Sequence, residues 1–233
     1  MIHLYPFERS LDWNEEISGF TVKSIYDTVV NLKSDSGRRC SLLLKTEDYL
    51  PRSALIEALP ALEKGQEIVV DLKCVAEGFD PSCLLESPKV KWKDLWLEWL
   101  EFLKREELAD LLDNIDKPEK MIGLGPGSTP AGDDFLVGLI IAFKLTGIDS
   151  NELGIDRNTL GRKTEWFSSE MIRDALDGKF WKRGIDLANA LAGDDAARIL
   201  EKAGKIVDWG HLSGKAWLAG LAYGLEQSGV CKV

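Results

Sequence analysis

Gly123 to Phe135 reads GLGPGSTPAGDDF: four glycines, two prolines and two adjacent aspartates, running directly into the apolar stretch LVGLIIAFKLTG. Thr129-Pro130 has the form of a helix start, with threonine as the N-cap and proline at the first helical position, where a missing N–H costs nothing. Gly147 suits the far end as the capping glycine. The predicted helix, Pro130 to Thr146, turns unpaired N–H groups and a partial positive charge toward the loop. Gly123, Gly125 and Gly127 permit turns that aim further N–H groups inward. That combination holds phosphate or carboxylate. The expected binding set is Gly125, Gly127, Ser128, Thr129 and Gly132, joined by Ser213 from a second motif.

The loop is not a Walker A motif. Gly127 and Gly132 have the right spacing, but Asp133-Asp134 stand where Lys-Ser/Thr is required. It also lacks the third glycine of a dinucleotide fingerprint. The two acids leave two chemistries open. In one, Asp133 and Asp134 ligate a Mg²⁺ ion that bridges to a bound phosphate. In the other, the ligand is a small anion whose nitrogen end hydrogen-bonds to a carboxylate. A purely structural alternative is that both acids favour the helix dipole.

HLSGKAWLAGLAYGL, near the other end of the chain, echoes TPAGDDFLVGLIIAF. Aligned on Gly132 and Gly214, Phe135 falls on Trp217, Gly138 on Gly220 and Leu139 on Leu221. Two glycine-led helices with a small residue a turn or two further in predict close packing, with their N-termini near one another. Lys215 takes the place of Asp133, which predicts a charge pair between them. The candidate catalytic groups are therefore Asp133 and Asp134, with Lys215 and His211 as charge stabilisers.

These residues need elements to position them. FTVKSIYDTVVNLKSDSGRRCSLLLK reads as a hairpin, and Ile68, Val69, Val70 and Leu72 as a further strand. LPRSALIEALPAL, between Pro51 and Pro60, predicts a short helix. From Trp92 to Leu103, tryptophans and leucines recur at helical spacing, the stripe of a packed amphipathic helix. Beyond the loop, TEWFSSEMIRDALDG, KFWKRGIDLANALAG, DDAARILEKAG and GKAWLAGLAYGLEQ all read helical. The expected class is α+β: a β-rich part over 1–88 and a mostly helical part over 89–233, without a flexible linker between them.

Composition narrows the function. The chain has 233 residues and a formal net charge of −10, with no basic block, which argues against nucleic acid as a partner. No run approaches the roughly 20 apolar residues of a membrane span, and the first residues lack a signal-peptide layout. Four scattered cysteines and two histidines predict reduced thiols, a cytoplasmic setting and no histidine-rich metal cluster.

GLGPGSTPAGDDFLVG also resembles a bacterial family found with purine- and allantoin-degradation enzymes, one member being a subunit of oxamate carbamoyltransferase. The family's pattern is Gly-Leu-Gly-Pro-Gly-hydrophobic-Thr-Pro-Ser/Ala-Gly-Asp-Asp-Phe. Looser similarity extends through TEWFSSEMIRDALDG and the last helix. Two departures stand out: Ser128 replaces an apolar residue, and Lys215-Ala216 replace an acidic neighbourhood. The resemblance implies carbamoyl-phosphate or related carboxylate chemistry in an assembly with partner protein subunits. A ligand-binding or scaffolding subunit without catalysis of its own is the other reading, because the titratable equipment is thin.

Overall fold

Alternating apolar residues in the first eighty positions pair into one eight-stranded sheet. The strands are β1 (Ile2–Leu4), β2 (Glu8–Ser10), β3 (Ile17–Ile25), β4 (Val29–Ser34), β5 (Arg39–Leu43), β6 (Ser53–Leu55), β7 (Glu67–Asp71) and β8 (Ala76–Phe79). Their order is β1-β7-β3-β4-β5-β6-β2-β8. The computed structural model describes residues 2–15, 17–82, 88, 101, 109–193 and 195–229. Its contacts divide the chain into two units, Met1–Cys83 with Lys179–Ile185, and Leu84–Gly178 with Asp186–Val233.

The strand order forces the sheet to curl. β1 and β2 are joined by three residues, so Leu4 and Glu8 lie at most about 14 Å apart. In a flat sheet their places in the order would be six strand spacings apart, roughly 29 Å. Curling brings the two ends together around an apolar interior of Trp13, Phe20, Val22, Val30, Leu32, Leu42, Ile68 and Val70, all buried. Trp13 sits edge-on to Phe20 with ring centroids 5.4 Å apart.

The hairpin expected around KSDSGRR is β4–β5, turned at Gly37 with φ 85°. The helix expected between Pro51 and Pro60 does not form. Arg52 adopts a left-handed φ of 52°, which ends any helical turn, and Ser53–Leu55 pair in parallel with β5 as β6. All three β6 residues are buried, so sheet pairing outweighs local helix propensity. Residues 179–185 complete this unit: the Phe180 N–H donates to the Pro81 carbonyl and the Lys182 N–H to that of Tyr49, both at 2.8 Å. Lys179 pairs with Asp12 at 3.3 Å and Arg183 with Asp48 at 2.5 Å.

The described helices are α1 (Ala109–Leu112), α2 (Ala131–Thr146), α3 (Leu160–Lys163), α4 (Trp166–Leu176), α5 (Lys182–Leu191), α6 (Ala196–Val207) and α7 (Ser213–Gln227). A curled sheet followed by helices is the expected α+β class. The tryptophan stripe at 92–103 lies outside the described residues. No helix among those described is long and apolar enough to cross a membrane.

Helix α2 is buried almost all round, as a helix apolar on every face must be. Its main partner is α7. Gly138 is pressed against the Trp217 carbonyl and Leu221 N–H, and Gly220 against the Phe135 carbonyl and Leu139 N–H. These two contacts are reciprocal under the alignment of the two motifs. Further along, Gly224 meets Ala142. The contacts advance in step along both helices, so α2 and α7 run parallel.

Candidate functional site

The glycine loop is built from the backbone outward. Gly123, Gly125 and Gly127 all have positive φ, at 78°, 113° and 93°. Gly123 has a second reason to be glycine, since a Cβ there would strike the Lys163 carbonyl. The Gly132 N–H donates to the Leu124 carbonyl at 2.9 Å and folds the loop back over the start of α2. A side chain at Gly132 would strike the Met121 carbonyl. Gly132 is thus a packing position whose N–H is already engaged.

The helix start differs by one residue from the sequence expectation. Pro130 is the N-cap, with φ −55° and ψ 139°, and its carbonyl accepts from the N–H groups of Asp133 and Asp134. No side chain caps the helix. Thr129, released from that role, lies with its hydroxyl 3.1 Å from that of Ser213 on α7. Gly147 closes the other end in the left-handed conformation, as expected.

Asp133 pins the loop. One carboxylate oxygen accepts from the Gly123 N–H at 2.8 Å, and the other accepts from the Thr164 hydroxyl. The buried Ser168 hydroxyl on α4 lies beside the same carboxylate. Burial raises the proton affinity of Asp133, and these three donors oppose it. The predicted pair with Lys215 is not made: the Gly123 N–H and the Thr164 hydroxyl take the two carboxylate oxygens instead. Among the described residues no group of three or more His, Cys, Asp or Glu side chains is arranged to hold a metal.

Asp134 is different. It is 1% exposed, and neither oxygen makes a formed hydrogen bond. Burial drives its proton affinity well above the usual carboxylate range, Ser213 opposes this, and the neighbouring Asp133 adds to it. An unpaired buried carboxylate costs several kcal/mol. A helix N-terminus returns only about 0.3–1 kcal/mol, and about 2 at best. Burial outweighs the helix terminus, so Asp134 holds a proton more tightly than an ordinary carboxylate.

Beside the loop is an open cleft of about 280 Å³. One wall is Gly123, Gly125, Gly127 and Pro130; the other is Arg162 and Lys163 at the end of α3, followed by Thr164 and Glu165. Among the described residues, the N–H groups of Gly125, Gly127, Ser128, Thr129 and Ala131 make no hydrogen bond within the protein. Gly125, Gly127 and Ser128 are exposed, as are Arg162 and Lys163. Since α2 and α7 run parallel, their positive ends lie at the same side, an arrangement that an anion stabilises.

The structure therefore brings together Gly125, Gly127, Thr129, Ser213, Asp133 and Asp134 around one helix start. His211 is exposed on the turn before α7, and Lys215 is half-buried in its first turn; neither lines the cleft. Sequence reasoning missed Arg162, Lys163, Thr164 and Ser168. The only signal was Thr164 opening TEWFSSE, which reads as a helix cap and carries nothing to tie it to Asp133 some thirty residues earlier.

These features define an α+β protein whose helical unit carries a glycine loop with free backbone N–H groups beside Arg162 and Lys163. Residues 121–225, from the glycine loop through most of α7, match the family described as oxamate carbamoyltransferase subunit AllH, a match that supports assignment to that family. No curated protein and no solved structure matches the chain.

Proposed function

We propose that this chain is an oxamate carbamoyltransferase subunit that binds a small phosphorylated or carboxylated metabolite at the glycine loop. The observation that carries this reading is the run of unspent N–H donors at Gly125, Gly127, Ser128, Thr129 and Ala131 in a loop whose Gly125 and Gly127 line a cleft with Arg162 and Lys163. In carbamoyl transfer, negative charge develops on the carbonyl oxygen and on the departing phosphate. Preorganised donors aimed at those oxygens lower the barrier. Arg162 suits a bidentate hold on phosphate or carboxylate, and Lys163 adds a point charge. Asp133 acts at one remove, by fixing Gly123 and so the shape of the loop.

The family's description as a subunit supports a second element of the reading, that partner proteins complete the activity. No general base lines the cleft beyond Glu165, which is exposed at its rim. Mg²⁺ is a variable of the test, because a phosphorylated ligand brings its own oxygens to a cation.

Calorimetric titration with carbamoyl phosphate, inorganic phosphate and oxamate, each with and without Mg²⁺, checks the assignment. Saturable binding by the wild type is expected, with Gly127→Val and Arg162→Ala each weakening it by about tenfold, or 1.4 kcal/mol. At Gly127 a side chain meets no clash but cannot adopt the positive φ without strain. Unchanged affinity in both variants would exclude the loop as the site.

A further inference from the structure

The cleft beside the glycine loop holds one group that an anion alone does not explain. Arg162 and Lys163 bring positive charge to it and Gly125 and Gly127 bring unspent N–H groups, yet Glu165 adds a carboxylate. No other carboxylate is found among the described residues that line the cleft. Its place there has a local origin. Thr164 is the residue type that caps a helix start, but its hydroxyl donates to Asp133 instead. The N-cap of α4 falls on Glu165, whose side chain makes no capping hydrogen bond. Among the described residues the side chains of Arg162, Lys163 and Glu165 make no hydrogen bond or ion pair. Glu165 therefore neither caps its helix nor neutralises its cationic neighbours, and it repels a ligand that is negative at every end. Cations and N–H donors beside an acceptor-only group match a ligand with an anionic end and an N–H donor end.

We propose that Glu165 is the specificity-determining residue of the cleft: its carboxylate accepts from an amide NH2 on a ligand whose phosphate or carboxylate is held by the loop N–H groups, Arg162 and Lys163. This rests on the anion reading above and narrows it, from any small anion to an anion that carries an amide or carbamoyl nitrogen. Neither Asp133 nor Asp134, the carboxylates expected to meet such a nitrogen, lines the cleft. A ligand with a methyl group in place of the NH2 keeps the size and charge but offers Glu165 no donor. The carboxylate then gives up hydration without gaining a partner, and that ligand binds less tightly. Glu165 transfers no proton in this role.

Two pairs of ligands differ only in that group: oxamate and pyruvate, and carbamoyl phosphate and acetyl phosphate, each an amide against its methyl isostere. Calorimetric titration of the full chain should give a wild-type preference of about tenfold for the amide in each pair, the factor that one hydrogen bond to a charged acceptor supplies. Glu165→Ala should remove the preference by weakening the amide ligands, with pyruvate and acetyl phosphate bound as well as before or better. Glu165→Gln keeps a neutral acceptor and should retain a preference of about threefold. Arg162→Ala should weaken all four ligands and leave the ratios as they are. Glu165 is exposed and caps nothing, so its replacement spares the fold. A wild type that binds both members of each pair equally overturns the proposal and leaves the anion reading standing. A preference that survives in Glu165→Ala does the same, as does an equal loss of all four ligands in that variant, the mark of a structural role. A wild type that binds none of the four overturns the anion reading and this assignment with it.

Discussion

Replacing Gly220 by alanine tests whether α2 and α7 are held at backbone contact. On an exposed helix this change would stabilise by about 0.5–1 kcal/mol, because glycine is the weaker helix former. Here the added Cβ would sit about 1 Å inside the closest approach a real Cβ makes, with the Phe135 carbonyl carbon and oxygen and the Leu139 N–H in its way. These are backbone atoms of a buried helix and cannot swing aside. The helices must separate, and overpacking of this kind costs about 1–3 kcal/mol. The expected net effect is destabilisation, with Tm lowered by about 2–4 °C for each kcal/mol in a chain of this size. Gly138→Ala should cost about as much, since its contacts with Trp217 and Leu221 mirror those of Gly220. The double variant should cost less than the two together, because the first substitution opens the gap that the second needs. Urea unfolding of the four proteins measures the coupling. A stabilised single variant, or strictly additive losses, would refute reciprocal backbone contact as the reason these positions are glycine.

The pH dependence of stability should carry the signature of Asp134. Its folded-state proton affinity is raised, so the unfolded chain releases the proton first as pH climbs. Stability then falls with rising pH, by up to about 1.4 kcal/mol per unit between the ordinary carboxylate range and the folded-state value. Asp134→Asn should flatten that slope without abolishing it, since Asp133 is shifted in the same direction; a slope identical to wild type in denaturation at pH 4–8 contradicts a raised proton affinity at Asp134. Thr164→Val removes a donor to Asp133 and should cost about 1–2 kcal/mol. It should also speed hydrogen exchange at the Gly123 amide, and unchanged exchange there would show that Asp133 does not pin the loop.

Much of this arrangement could be read from residue order, and the gaps have identifiable causes. The helix from the glycine loop to Gly147 was legible because cap chemistry is local: Pro130 and Gly147 act on their own turns. The pairing of α2 with α7 was legible because the glycines recur in register, and close helix packing requires small residues at matching heights. Ser53–Leu55 was misread because it pairs with β5 on one side and with the distant β2 on the other, and pairing overrode the local pattern of ALIEAL. The tie from Asp133 to Thr164 was illegible for the same reason. The hydrogen bonds to its carboxylate come from residues that adjoin it only in the folded chain. Arg162 and Lys163 belong to a short polar helix with no periodic signature, so nothing marked them as facing the loop.

Residues 179–185 belong with the curled sheet although they follow α2 and α4 in the chain. On the ribosome all eight strands emerge first, while Asp12, Asp48 and the carbonyls of Tyr49 and Pro81 await partners that lie about a hundred residues beyond the last strand. At 5–20 residues per second that interval lasts roughly 5–20 s. The first unit to be translated thus waits for its last segment until much of the second has emerged. A fragment that stops at residue 83 carries every strand and still lacks the segment that ties them off.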